Sequence, residues 1–318
     1  MQNKIYELII IGAGPVGLAA TFLANYLKID CLCLERDSFI GGQVAKLYPH
    51  KNIYDYPGFP VIRGDQLISN FSEQLKYYNN PLLLSINIIR YEIKDEIIFI
   101  FDDKRNVFKT KYVLFTIGPG AFEIIKLTNE QVDFYALEKI LYTFDNNLKF
   151  DNKRVLVFGG GDSATDYAMH IKSKFLDSDV TLIHRWEKLK SIANSESDLI
   201  NKGINVLLNT NLIKIDHHKC LLLNSVTNNN LVKEFDYVLV QFGVRCIGSN
   251  IHEWKEFECN NKRFVVNNFY ETNIKNFYAA GNCTFSEYKV DMILTGISEA
   301  TIAINKIFKL LDKKITKY

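Results

Sequence analysis

The chain carries, near its start, a stretch that admits very few local folds: Leu8-Ile9-Ile10-Ile11 runs without a spacer into Gly12-Ala13-Gly14-Pro15-Val16-Gly17. Four consecutive apolar residues suit a strand buried on both faces. From Leu18 to Leu27 the apolar residues recur at helical spacing. The glycines therefore sit in a strand–turn–helix context. The first makes the tight turn, the second lets backbone approach a pyrophosphate, and the third lets helix pack on strand. The N-terminus of the following helix supplies aligned N–H groups for phosphate oxygens. A second short apolar run, Cys31 to Leu34, ends on Glu35, 18 residues beyond Gly17. An acid at that point accepts the hydroxyls of an adenosine ribose. Glycines, strand, helix and acid together read as a dinucleotide fingerprint; the glycine spacing alone would not.

At 318 residues the chain is long enough for about two domains. Its 47% hydrophobic and 23% charged residues describe a globular protein with ample core. A net charge of +2 gives no footing for nucleic-acid binding. The six cysteines include no CxxC pair, and Cys31 and Cys33 share one strand face, which strands do not readily bridge. Free thiols in a reducing compartment follow. Leu8 to Leu27 lacks any charge, yet three glycines, Pro15 and Asn25 interrupt it and no basic leader flanks it. It reads as a buried strand–turn–helix and not a membrane span, so the expectation is a cytoplasmic protein.

Beyond Glu35, Gly41-Gly42-Gln43 would let backbone run close to a ligand, with Gln43 offering both donor and acceptor. Leu47 to Pro60, LYPHKNIYDYPGFP, is too broken for a regular element and too apolar for a solvated loop. It either packs over a large flat ligand or lies buried against its own domain. A helix is expected from about Asp65 to Tyr78, and strands at Leu82–Ile89, Ile97–Phe101 and Tyr112–Ile117. Residues 121–153 read as a connector.

A second fingerprint follows. Arg154 to Phe158 is a buried strand, and Gly159-Gly160-Gly161-Asp162-Ser163-Ala164 is the same device with alanine at the packing position. Asp162 or Ser163 is placed to cap a helix to about Phe175. The next strand, Val180 to Ile183, ends in His184-Arg185-Trp186 instead of an acid. An acid there would repel a ribose 2′-phosphate, whereas Arg185, with Lys188 and Lys190 nearby, would attract it. An ordinary surface arginine is the alternative. Asn205 to Val240 suggests a small β-meander, with His217-His218 in a solvated turn and not a metal site. Asn276 to Ala280, then Gly281-Asn282, then a long amphipathic helix within Met292–Leu311, suggest a return to the first domain. A frayed basic tail, Lys313 to Tyr318, follows.

With these pieces placed, the sequence resembles the pyridine nucleotide-disulfide oxidoreductases and, more narrowly, the thioredoxin-reductase-like ferredoxin–NADP reductases. The likeness covers nearly the whole chain. It is carried in family order by GAGPVG at Gly12, GGQ at Gly41, the Leu47–Pro60 loop, GPGAF at Gly118–Phe122 and GGGDSATDYA at Gly159. HR at His184, ETN at Glu271–Asn273, AAGN at Ala279 and EYKVDMILTG at Glu287 complete the series. The resemblance implies an α/β architecture of two Rossmann-like domains. A discontinuous FAD domain would span 1–117 and 245–318, with an NADPH domain, 118–244, inserted.

It also implies a homodimer, with Gly12, Gly14, Pro15, Gly17 and Glu35 at the FAD pyrophosphate and ribose. Gln43, Tyr48 and Asp55 would lie near the isoalloxazine, with Tyr48 stacked on it and Gly42 in the same cofactor-binding set, and Gly281-Asn282 would face the ribityl and phosphate part. Phe122 and Thr295 belong to the same implied cofactor-binding set. Gly161, Asp162, Ser163, Arg185 and Lys190 would hold NADPH. Three departures stand out: Asn282 replaces the usual aspartate, Trp186 replaces a second arginine, and the chain ends soon after Asp312. Asparagine keeps a hydrogen bond but loses its charge-assisted part, and Trp186 leaves NADPH preference to Arg185 and Lys190.

The implied activity is electron transfer between NADPH and ferredoxin or flavodoxin, with no protein nucleophile, no catalytic side chain and no metal. A thioredoxin-type reductase would need a redox-active dithiol in the second domain, and 121–180 contains no cysteine. A diaphorase with another protein partner, or a flavin-binding regulatory protein without turnover, is the alternative.

Overall fold

The computed structural model describes residues 4–78, 81–143, 148–191, 194–248, 251 and 254–313, without the side chains of 121–122 and 246–248. The described residues form six α-helices: α1 (Pro15–Tyr26), α2 (Gly42–Leu47), α3 (Gly64–Lys76), α4 (Asp162–Lys174), α5 (Glu196–Asn201) and α6 (Ile293–Leu310). The chain divides into two compact units, Met1–Ala121 with Cys246–Tyr318, and Phe122–Arg245. Its two crossings, Ala121–Ile124 and Val244–Gly248, pair as a two-stranded ribbon. Among the described residues no helix is long and apolar enough to cross a membrane.

The first unit is built on the Ile5–Ile11 strand, whose Leu8 to Ile11 are all buried. It pairs in parallel with Cys31–Leu34 on one edge and Val107–Phe115 on the other. The outer edge of Val107–Phe115 is shared. Its first half pairs antiparallel with Ile97–Asp102, and its last three residues pair in parallel with Phe277–Ala279. One sheet face packs on α1, α3 and α6 through Leu18, Ala24, Leu67, Phe71, Ala303 and Ile304. The other face is aromatic: Phe115 stacks on Phe264 and Phe277 at centroid separations of 5.0 and 5.9 Å. Such pairs add to the area they bury.

The second unit is a five-stranded parallel sheet in the order Ile140–Leu141, Tyr237–Val240, Arg154–Phe158, Asp179–Ile183 and Asn205–Leu207. A three-stranded antiparallel meander, Thr210–Asp216, Lys219–Asn224 and Asn230–Glu234, follows as expected. The reading of 121–153 as a bare connector is corrected: Ile140–Leu141 supplies the sheet's edge strand, preceded by a 3-10 turn at Phe134–Lys139. The tail is corrected at its first residue. Lys313 Nζ bonds Lys28 O and Glu7 Oε2, each at 2.6 Å, and 314–318 lie outside the described residues.

Cys31 and Cys33 are free and buried beneath α1, and burial pushes both thiols up to about 12. Cys220 and Cys283 are buried free thiols raised to about 12 in the same way, whereas Cys259 is exposed. Because the thiolate is the nucleophile, iodoacetamide at about pH 8 is expected to label only Cys259 among these five in the native protein. Peptide mass spectrometry after native alkylation checks this. Labelling of Cys31 or Cys283 without denaturant would contradict the packing.

Candidate functional site

In the first unit the three glycines divide the labour that their spacing suggests. A methyl on Gly12 would stand 2.6 Å from Thr116 O, and one on Gly17 would stand 1.8 Å from Gly12 O. Gly14 is different: its nearest neighbour would be Gly42 Cα at 3.9 Å, so the space above it is open. Gly14 is also the N-cap of α1, with Pro15 first in the helix, no side-chain cap and no acid in the first turn. Among the described residues α1 thus offers these N–H groups neither a capping side chain nor a first-turn acid, which suits a phosphate ligand.

Glu35 is buried at the end of the Cys31–Leu34 strand. Its Oε2 accepts from Ala13 N–H at 2.6 Å and its Oε1 from Asp37 N–H at 2.8 Å. Burial raises its carboxyl above the ordinary range, against the pull of these two hydrogen bonds toward the charged form. The acid is thus fixed beside the glycine turn with oxygen lone pairs to spare.

The glycine pair after it serves a use the sequence did not show. Gly42 approaches Gly14 so closely that a methyl would stand 3.0 Å from Gly14 Cα, and Gly41 packs on Ala45 and Ile68. Gly41 N–H bonds Ala13 O at 2.8 Å. The freedom of Gly41 and Gly42 is therefore spent on fastening α2 to the turn, and Gln43, half-buried, is carried on α2's first turn.

The Leu47–Pro60 loop contains a regular element after all, since Asn52–Ile53 pairs with Ile62–Arg63. Ile53 and Ile62 are buried, Tyr48 and Tyr56 pack on the core, and Tyr54 and Phe59 are exposed at 71% and 41%. The loop is thus partly anchored and partly open. Tyr48 ends α2 and lies near enough to Asp55 that this carboxylate, after burial, helps raise the phenol above its usual range.

Gly281, at φ +81°, is wedged against Val16 of α1 and Gly296 of α6. Asn282 beside it is half-buried. Thr295 caps α6: its hydroxyl donates within reach of Val290 O and Met292 O, at 2.7 and 2.9 Å, and accepts from Met292 N–H at 3.3 Å. Gly12, Gly14, Pro15, Glu35 and Gly42 are thus gathered around one turn, with Gly281 packed on Val16 just beyond it. The Thr295 hydroxyl is committed to its own helix, and the side chain of Phe122 lies outside the described residues.

The second unit repeats the pattern. A methyl on Gly159 would stand 2.4 Å from Gln241 O, while one on Gly161 would meet nothing within 4 Å. The cap assigned to Asp162 or Ser163 is corrected to Gly161, which has extended backbone and no side-chain bond. Asp162 is the first helical residue, and its Oδ1 accepts from Ser191 Oγ at 2.9 Å. Ser163 is exposed in the first turn.

Lys190 N–H donates to Gly160 O at 2.6 Å, which ties the segment after Asp179–Ile183 to the glycine turn. Arg185 and Lys190 are exposed there, and the Arg185 guanidinium lies 5.2 Å from the Trp186 ring centre. His184 is buried against Gly160. Burial first, then the charges of Arg185 and Lys190, hold its imidazole below the usual range, and so neutral at pH 7. Elsewhere in this unit Asp133, Asp216 and His217 offer ligand atoms within 4.8 Å of one another, but two of the three are exposed. His217 stacks on Tyr135.

The chain is 33% identical to the Bacillus licheniformis protein named ferredoxin–NADP reductase 2, covering 98% of this chain and 95% of that one. It is also 33% identical to the Bacillus subtilis protein of the same name, again over 98% and 95%. Among solved structures it resembles T. acidophilum thioredoxin reductase with a TM-score of 0.76 at 20% identity, covering 98% of this chain and 100% of that one. Lactococcus lactis thioredoxin reductase gives 0.72 at 22%, covering 96% and 99%. At these identities the structures bear on fold alone, which is the two-domain Rossmann-like α/β fold. Residues 6–306 match the family described as pyridine nucleotide-disulphide oxidoreductase, and the chain belongs to it.

Proposed function

We propose that the protein is an FAD-dependent oxidoreductase that moves electrons between NADPH and a small one-electron carrier, ferredoxin or flavodoxin. The observation that carries this reading is the opposite chemistry beside two open glycine turns. Buried Glu35 borders the first, whereas exposed Arg185 and Lys190 border the second. The near-complete coverage of relatives named for ferredoxin and NADP supports it.

On this reading the first unit holds FAD, with the pyrophosphate over Gly14 and Pro15, the ribose at Glu35, and Asn282 toward the ribityl chain. Gln43, Tyr48 and Asp55 line the ring end, and the protein works as a homodimer. The second unit holds NADPH over Gly161 and Ser163, with Arg185 and Lys190 on the 2′-phosphate. Trp186 supplies no charge, but its ring gives the Arg185 guanidinium a face to lie on.

Bound FAD would supply two-electron uptake and one-electron release, and the chain's residues would bind and orient it. Disulfide exchange is disfavoured by position: Cys220 is the single cysteine in 122–245, and it is a buried thiol raised to about 12.

The test is steady-state reduction of ferredoxin by FAD-loaded protein with NADPH and NADH in parallel. Ferredoxin-dependent turnover that prefers NADPH is expected. In Arg185→Ala the KM for NADPH should rise about ten-fold or more, with NADH little affected, since a charge-assisted contact to phosphate is lost. Flavin reduction without ferredoxin turnover would leave a reductase with another acceptor. No reduction by either nucleotide would overturn the reading.

A further inference from the structure

One buried ion pair lies beside the first glycine turn, and neither of its members belongs to the residues assigned to a cofactor. Lys289 and Glu299 bridge each other with side chains only 7% and 8% exposed. Their neighbours make Lys289 conspicuous: Tyr288 is 87% and Val290 is 53% exposed, so along this surface segment Lys289 turns inward. Moving two charges from water costs several kcal/mol each, on the order of the whole stability of many domains. Such a pair survives only where every donor and acceptor is met.

Here the three Lys289 protons have three acceptors: Glu299, Gly281 O at 2.9 Å and Thr284 Oγ1 at 2.8 Å. Glu299 Oε2 in turn accepts from Gly281 N–H at 2.7 Å. The pair thus grips both polar backbone atoms of one glycine. That glycine stands at φ +81° and presses on Val16, two residues beyond Gly14, and on Gly296 in the first turn of α6. Fixing Gly281 fixes the register of the first turns of α1 and α6 against each other. It also fixes the direction in which Asn282 leaves the turn.

We propose that Lys289 and Glu299 are positioning residues for the flavin site. Their ion pair holds Gly281 so that Asn282 and the Gly14 turn meet FAD in a preset arrangement, and affinity for FAD depends on that grip as well as on fold stability. This rests on the reading that the first unit binds FAD.

The experiment separates grip from stability with two variants and two readouts, namely apoprotein melting and FAD titration by quenching of flavin fluorescence. In Lys289→Met with Glu299→Leu, an apolar pair of similar volume replaces the charges, and replacements of this kind are often neutral or stabilising. The double variant should still fold cooperatively, its melting lowered by the unmet Gly281 N–H, and, well below that transition, bind FAD about ten-fold or more weakly, because Gly281 has lost two partners. Glu299→Asp keeps the charge but shortens the arm away from Gly281 N–H, so it should weaken FAD in the same direction. It reads the proposal even where the apolar pair fails to fold. Wild-type affinity in a stably folded variant of either kind would overturn the proposal and leave the pair purely structural. Failure of the wild-type chain to bind FAD would instead overturn the reading of the unit, and this inference with it.

Discussion

Gly17→Ala is expected to purify without flavin and with its melting transition lowered by about 6–12 °C. A methyl at this position would stand 1.8 Å from Gly12 O and 2.8 Å from Thr116 Oγ1. Gly12 has little room to recede. Its φ is +107°, its N–H is bonded to Leu34 O at 2.8 Å, and its carbonyl accepts the Thr116 hydroxyl at 2.8 Å. Overpacking a fitted site costs about 1–3 kcal/mol, and more when backbone must shift. At such a separation backbone must shift, so the upper end applies.

Gly14→Ala is the matching control. Gly14 has φ −68°, which alanine adopts freely, and its methyl would meet only Gly42 Cα at 3.9 Å. The apoprotein should keep a stability within about 0.5 kcal/mol of wild type while affinity for FAD falls, because on the proposed placement the methyl takes the pyrophosphate's space. The ratio of flavin to protein absorbance and a thermal melt read both variants. Full flavin content in Gly17→Ala, or in Gly14→Ala, would contradict the assignment of that glycine.

The second large effect is expected at Gly160, the residue between the two fingerprint glycines of the second unit. A methyl there would lie 2.3 Å from His184 Nδ1, 2.4 Å from Cε1 and 2.5 Å from Cγ. The imidazole is buried, and its backbone is held on both sides: His184 N–H bonds Leu207 O at 2.8 Å, and its carbonyl accepts from Thr210 N–H at 2.9 Å. Either the ring must therefore swing away or the glycine turn itself must shift. Gly160→Ala should keep its flavin, because the first unit is untouched, but reduce it with NADPH more than ten-fold more slowly at low nucleotide, about 1.4 kcal/mol or more of lost binding. Adding His184→Ala removes the ring that the methyl meets and should restore most of the melting temperature. A single variant that reduces at the wild-type rate, or a double variant no more stable than the single, would show that the contact is not the constraint.

The parts of this fold that were legible in the sequence are those written in consecutive residues. Leu8 to Gly17, Arg154 to Ala164 and the helix ending at Leu310 each carry periodicity and turn chemistry within one window, and all three form as expected. Short elements were not legible. Ile140–Leu141 is a strand only because Tyr237–Val240 lies beside it, and the six residues of α2 are too few for a helical period to show.

The candidate sites follow the same division. The open glycines Gly14 and Gly161 could be picked out by spacing, because the motif assigns them that space. The need for glycine at 42 and 160 could not, since it comes from Gly14 and His184, far away in sequence. The Lys289–Glu299 pair was hidden for a related reason. A lysine between exposed Tyr288 and Val290 reads as surface until its burial is known.

The interruption of the first unit by the second has a consequence for the chain as it is made. Residues 122–245 leave the ribosome as one continuous block with a complete sheet, so the unit that begins later is the first to have all its parts. Until then Val113 to Phe115 wait without Phe277–Ala279, and Leu18 and Ala24 wait without Ala303 and Ile304. An apolar sheet edge and an uncovered helix face are what aggregation exploits. The nascent protein is thus most vulnerable while its second unit is already folded. On the reading that the first unit holds FAD, the cofactor can be locked in only once Phe277–Ala279 and α6 have joined that unit.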